Sequence, residues 1–179
     1  MELHEILEQH LSKEYSGKDM ESHLEEVNKI IGHTDRVLKI CEAFAVNLKL
    51  EGTELELLKA AAMLHDIAKL DEKNGEHNRL VEKAMMDMGI DQFADGREDK
   101  VYEIIEAHKG GFNPSSDIAL EASILRMADK LDKFVKRSTK AEKSCKDSYC
   151  KILNYFATKG IALPQKFVDT YEVIMDKLK

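Results

Sequence analysis

Met63-Leu64-His65-Asp66-Ile67-Ala68-Lys69 sets a histidine and an aspartate side by side in an otherwise apolar run. Leading into it, Leu57, Leu58, Ala61, Ala62 and Leu64 recur at helical spacing, with Glu54, Glu56 and Lys59 on the other side. That is the pattern of an amphipathic helix whose inner face runs into His65. An ionised carboxylate removed from water is strongly penalised unless it is paired, multiply hydrogen-bonded or bound to a metal, so Asp66 requires a compensating partner. The spacing predicts that this helix opens on a Thr53/Glu56 capping box and closes near Leu70.

The flanking sequence repeats the helical theme on both sides. Leu3, Ile6, Leu7 and Leu11 predict a short helix over 2–14, broken at Ser16-Gly17-Lys18-Asp19. From Glu21 the pattern resumes, and Val37, Ile40, Cys41, Phe44 and Leu48 form an inward stripe with His33 at its N-terminal end. After a polar turn at Asp71–Gly75, His77 stands at the start of a helix carrying Leu80, Val81, Ala84, Met85 and Met88 and ending at Gly89. Val101, Ile104, Ile105 and Ala107 lead to His108, and Gly110–Ser116 reads as a loop. Ser116 or Asp117 is placed to cap a long helix with Ile118, Ala122, Leu125, Ala128, Leu131 and Val135 apolar, into which Asp129 intrudes. Two further helices are expected, over 142–158 with Tyr149, Ile152, Leu153 and Phe156 inward, and over 165–178 with Phe167, Val168, Tyr171, Ile174 and Met175 inward.

Composition agrees with an all-α reading. In 179 residues there are 2 Pro, 9 Gly and 6% aromatic residues, with no strand pattern and no internal repeat. The expectation is an all-α, single-domain bundle of about seven helices, with residues 1–22 as a helical extension, 23–140 as the core and 141–179 as helices packing on it. No run approaches the roughly 20 apolar residues of a bilayer span, and the N-terminus does not resemble a signal peptide, so a cytoplasmic protein is expected. Cys41, Cys145 and Cys150 lack CxxC spacing and suit reduced thiols. A net charge of −7 argues against duplex DNA as the main partner, but not against a small anion held by a local cationic pocket.

Five elements therefore bring polar side chains to apolar stripes: His33, His65 with Asp66, His77, His108 and Asp129. Imidazole nitrogen with carboxylate oxygen suits Fe, Mn, Co, Ni or Zn, with Mg also possible, and the absence of a Cys ligand disfavours a structural zinc site. Such a set can hold one ion, or two sharing a carboxylate at about 3.5 to 4 Å, which would clamp a phosphoryl group and activate water. Asp66, Lys69, His77 and His108 are the candidate catalytic groups. Lys69 follows His65 by one helical turn and can reach a phosphate over the site; Arg36 is a second candidate for binding that anion. Plainer readings stand beside these. Asp129 could pair with Arg126 or Lys133, His77 could simply start a helix, Arg36 could form an ion pair, and His4, His10 and His23 read as solvated residues.

His33, Leu64-His65-Asp66-Ile67-Ala68-Lys69 and Ala128-Asp129-Lys130-Leu131-Asp132 together resemble the H…HD…D signature of the HD-domain metal-dependent phosphohydrolases, over roughly residues 28 to 137. His77 and His108 further resemble the H…HD…H…H…D subset, whose members tend to hold two metals. The resemblance implies an all-α fold, a metal held by His33, His65, Asp66 and Asp129, and hydrolysis of a phosphoester or phosphoanhydride; it does not identify the substrate, which we expect to be a nucleotide or another small phosphorylated metabolite. The Gly-Tyr-Pro companion motif of cyclic-di-nucleotide phosphodiesterases is absent after the HD pair. Two alternatives carry different chemistry: dioxygen activation at a di-iron site, and a non-catalytic metal-stabilised module that binds a nucleotide or protein. Residues 141–179 carry no motif; their helices could cover the pocket, form a homodimer contact or complete the bundle.

Overall fold

A computed structural model describes residues 3–12, 19–71, 75–134 and 139–178. These residues form an all-helical bundle: α1 (Leu3–Leu11), α2 (Met20–Leu48), α3 (Gly52–Leu64), α4 (Val81–Asp87), α5 (Glu98–Ala107), α6 (Ala119–Phe134), α7 (Thr139–Lys159) and α8 (Gln165–Leu178), with a 3-10 turn at His77–Arg79. The predicted break at Ser16–Lys18, the middle of the Asp71–Gly75 turn and Val135 lie outside the described residues.

The helix α6 is the axis of the bundle, in contact with α2, α3, α5, α7 and α8. Ile124, Leu125, Met127, Ala128 and Leu131 are fully buried, and so are Ser123 and Asp129, so both its apolar and its polar positions face protein. A helix buried all round must place its charges against partners, and Asp129 meets that demand within the site below. At 29 residues, α2 runs about 43 Å along the molecule. Asp19 caps it, accepting from Glu21 N–H at 3.3 Å and Ser22 N–H at 3.1 Å. It ends on the left-handed Lys49 (φ 59°, ψ 40°), after which Leu50 N–H returns to the Ala45 carbonyl at 2.9 Å. Because α2 begins at Met20, the division expected after residue 22 falls inside its first turn.

Several local expectations are corrected. α3 ends at Leu64 rather than near Leu70, and residues 65–71 wind more tightly, with Ile67 N–H to Leu64 O, Lys69 N–H to Asp66 O and Asp71 N–H to Ala68 O at 3.0, 3.0 and 3.2 Å. The reason is chemical: His65 Nδ1 bonds the Ala62 carbonyl at 2.8 Å, the acceptor that Asp66 N–H would use in a continuing α-helix. No Thr53 capping box forms. The cap residue is Glu51, without a side-chain cap bond, and Thr53 Oγ1 accepts from Arg97 at 2.9 Å. Asp117 accepts from Lys100 at 2.6 Å. Leu153 is 39% exposed because the inner stripe of α7 is Cys145, Ser148, Ile152, Tyr155 and Phe156.

The outer helices share the same core. Ile6, Leu7 and Leu11 of α1 are buried with it, and Phe44 of α2 packs on Phe167 of α8 at 5.1 Å between ring centroids. His10, expected in solvent, is 3% exposed and bonds Asp71 at 2.5 Å. It ties α1 to the segment that follows the His65-Asp66 pair. His4 stays at the surface, 3.5 Å from Glu8 and 3.7 Å from Asp35, and His23 is half-buried. No helix is long and apolar enough to cross a membrane among the described residues.

Candidate metal centre

All six candidate ligands converge in one buried region. His33 projects from the middle of α2, His65 and Asp66 from the turn after α3, His77 from the 3-10 turn, His108 from the C-cap of α5 and Asp129 from α6. Each is buried, with His65 and Asp129 fully enclosed and Asp66 and His108 1% exposed. The imidazoles form a chain of ring contacts: His33 to His65 at 5.3 Å, His65 to His108 at 5.3 Å and His108 to His77 at 5.7 Å between centroids.

Asp66 sits between two groups. Its Oδ2 is 3.6 Å from His33 Nε2 and 3.7 Å from His65 Nε2, and its Oδ1 is 2.9 Å from His77 Nε2. His33, His65 and Asp66 form one cluster able to hold a metal ion; Asp66, His77 and His108 form another. Asp129 joins the first side, its Oδ1 3.1 Å from His33 Nε2.

The donor chemistry fits a divalent cation. His65 and His108 are each placed by the same device: the ring Nδ1 bonds the carbonyl three residues back, Ala62 at 2.8 Å and Ile105 at 2.5 Å. That bond fixes the tautomer and leaves each Nε2 lone pair available, as a metal-binding imidazole needs. Burial pushes the His108 pKa down to about 3 and lowers that of His65. Burial opposes ionisation of Asp66, yet His65, the bond from His77 and the Lys69 ammonium outweigh it and hold the carboxyl well below its usual range. Asp129 is likewise opposed by burial, and the bond from His33 with the ammoniums of Lys133 and Lys130 keeps it ionised. Two buried carboxylates are thus held charged among imidazoles, a set matched to N/O-binding transition ions.

The remaining candidates fall nearby. Lys69 Nζ bonds Asp66 Oδ2 from the next turn, with a third of its side chain exposed. Arg36 takes the ion-pair arrangement, its Nε 2.6 Å from Asp132 Oδ1 and a second nitrogen 3.2 Å from Oδ2. Asp129 pairs with Lys133 at 2.6 Å and Lys130 at 2.7 Å, not with Arg126. Asp132 itself escaped the sequence reading. It bonds His33 Nδ1 at 2.6 Å and so orients that ring from behind. The signal was available: His33 with Arg36, and Asp129 with Asp132, are both three residues apart, so two helices can pair in register through both couples.

No curated protein and no solved structure matches the chain. A family model described as HD domain matches residues 30–133, more than half of the chain. That span holds His33, His65, Asp66, His77, His108 and Asp129, and by it the chain belongs to the HD domain family.

Proposed function

We propose that the protein is a metal-dependent phosphohydrolase that cleaves a phosphoester or phosphoanhydride of a nucleotide or other small phosphorylated metabolite. The observation that carries this reading is Asp66, one buried carboxylate shared by two imidazole groups on its opposite oxygens. His33, His65, Asp66 and Asp129 would hold one ion, and Asp66, His77 and His108 a second. A divalent ion there supplies Lewis acidity, drawing charge from a phosphoryl group and making water a better nucleophile at neutral pH.

The chain's own residues complete the chemistry. Lys69, partly exposed beside Asp66, offsets charge on the non-bridging oxygens as it grows toward the transition state. His77 would carry the proton released by the attacking water if the centre holds a single ion on the His33 side. A polar cleft of about 330 Å³, lined by Asn78, Arg79, Glu103, Glu106, Lys109 and Asn113, adjoins His77 and His108 in sequence without including any of the six candidate ligands in its lining.

The test is elemental analysis of the purified protein, followed by chelation and add-back of Mn, Fe, Co or Mg. A screen over nucleotides, dinucleoside polyphosphates and sugar phosphates accompanies each step. Bound metal and a phosphate release that vanishes on chelation and returns with one ion are expected. Protein that takes up no ion under any of these conditions overturns the proposal. A mixed-valent di-iron signal without phosphate release would instead indicate dioxygen chemistry, and a nucleotide recovered intact after long incubation a binding module.

A further inference from the structure

Arg126 is 2% exposed and takes no direct part in the ligand cluster. It lies on α6, one turn ahead of Asp129. Its guanidinium donates to the Ala107 carbonyl at 2.8 Å, the Gly110 carbonyl at 2.9 Å and, more weakly, the Gly111 carbonyl at 3.4 Å. The Phe112 ring centroid lies 5.6 Å from its Cζ. Among the described residues no carboxylate pairs with Arg126, and its Nε has no partner.

This is an expensive way to fill a core position. A buried charge facing only carbonyls, with one N–H left over, stabilises a fold less than a well-packed apolar side chain of similar volume. Burial accordingly pushes the Arg126 pKa down. What the guanidinium does offset is the C-terminal end of α5, where carbonyls have no intrahelical donor and the helix dipole is negative. The carbonyls it takes flank His108 on both sides. His108 is the C-cap of that helix, and its ring stands at the junction of His65 and His77. Among the described residues this end of α5 is also bonded by Lys151, whose exposed ammonium reaches the Gly110 carbonyl at 3.0 Å, and by Asn78, whose side-chain amide donates to the Glu106 carbonyl at 2.9 Å.

We propose that Arg126 is a positioning residue: by clamping the carbonyls of Ala107, Gly110 and Gly111 it holds His108 against His77 and Asp66, and so sets the affinity of the ion held by the histidine side of the centre. The inference rests on the two-group reading given under Proposed function. Arg126 touches neither ion nor substrate. Its planar fork is what matters, because a lysine ammonium keeps the charge but cannot hold the carbonyls in one fixed geometry.

The experiment uses full-length protein stripped of metal and titrated with Mn²⁺ by calorimetry, wild type beside Arg126→Lys, with Arg126→Gln as the second variant if the lysine form melts below the assay temperature. Expected is one Mn²⁺ event unchanged and one weakened about tenfold, the range seen when a group behind a ligand is lost. A purely structural role would weaken both events together, and that result, or no change in either, overturns the proposal. Imidazole ring signals in the metal-free state separate the two readings. If His108 signals shift in Arg126→Lys while those of His33 hold, the positioning role stands even where wild type takes a single Mn²⁺ and the two-ion reading falls. If His108 signals do not move, the positioning role falls even where wild type takes two.

Discussion

The two sides of the centre are built differently. The side holding His33 and Asp129 rises from the interiors of the long helices α2 and α6, and carboxylates and ammoniums fix it: Asp132 behind His33, Lys130 and Lys133 on Asp129. The side holding His77 and His108 hangs on a three-residue 3-10 turn and on a helix end; a main-chain carbonyl fixes the His108 ring, and Asp66 is the partner of the His77 ring. Long-helix interiors open only with the global fold, whereas turns and helix ends open locally. One side is therefore expected to bind its ion tightly and the other to exchange it. Asp66 is the joint between them.

The largest effect should come from that joint. Asp66→Ala removes a carboxylate common to both sides, so metal content should fall to background and phosphate release by about 10³-fold, measured by elemental analysis and a phosphate assay. Should one ion remain at full occupancy, the two sides do not share Asp66. Next comes Asp132→Asn, which keeps the shape but weakens the bond to His33. Calorimetry should show the tighter ion weakened between about 10- and 100-fold with the weaker one untouched, sharpening the contrast from the opposite direction to Arg126→Lys.

The sides also differ in the sign of their response to pH in metal-free protein. Burial lowers the His108 pKa to about 3, below its unfolded value, so between pH 6.5 and 3 the unfolded chain binds the extra proton and stability falls as pH falls. For His33 burial pulls the pKa down, but the bonds to Asp129 and Asp132 overcome it and raise it above the unfolded value. Its contribution is fully present below pH 6.5 and is lost as pH rises through the folded value. Thermal melts of His108→Gln should show a shallower acid-side loss than wild type, and those of His33→Gln a shallower alkaline-side loss. Equal slopes in both variants would erase the distinction.

The smallest effect lies outside both sides. Lys49 holds a left-handed conformation that costs a side chain about 1 kcal/mol, partly offset by the unfolded-state entropy that glycine adds. Lys49→Gly should raise the melting temperature by a degree or two with metal content unchanged. A change in metal content would mean that the α2 terminus is coupled to the centre.

Much of this architecture is visible in the chain itself, for reasons that differ by residue. His33, the His65-Asp66 pair and Asp129 interrupt long apolar stripes, and a polar group on a stripe is a local signal. The end of α3 at Leu64 was hidden because it depends on the His65 ring competing for the Ala62 carbonyl, which apolar periodicity does not register. His10 reads as solvated because its partner, Asp71, is 61 residues away. Lys133 is readable in the sequence as a partner of Asp129 one turn away, but Asp132 shows its role only when α2 and α6 are packed together. Arg126, an arginine in an apolar helix, appears only as a possible partner for Asp129, since main-chain acceptors leave no mark in sequence.

The all-round burial of α6 bears on how this chain can vary. A helix with a wet face absorbs substitutions there without consequence, so its tolerance rises and falls with the helical period. Between Ala122 and Asp129 every position of α6 is enclosed. Tolerance should be flat and low across those turns, and the freedom to diversify must lie in the exposed positions of α2, α7 and α8, which can drift without disturbing the register that sets Asp129 and Asp132 against His33.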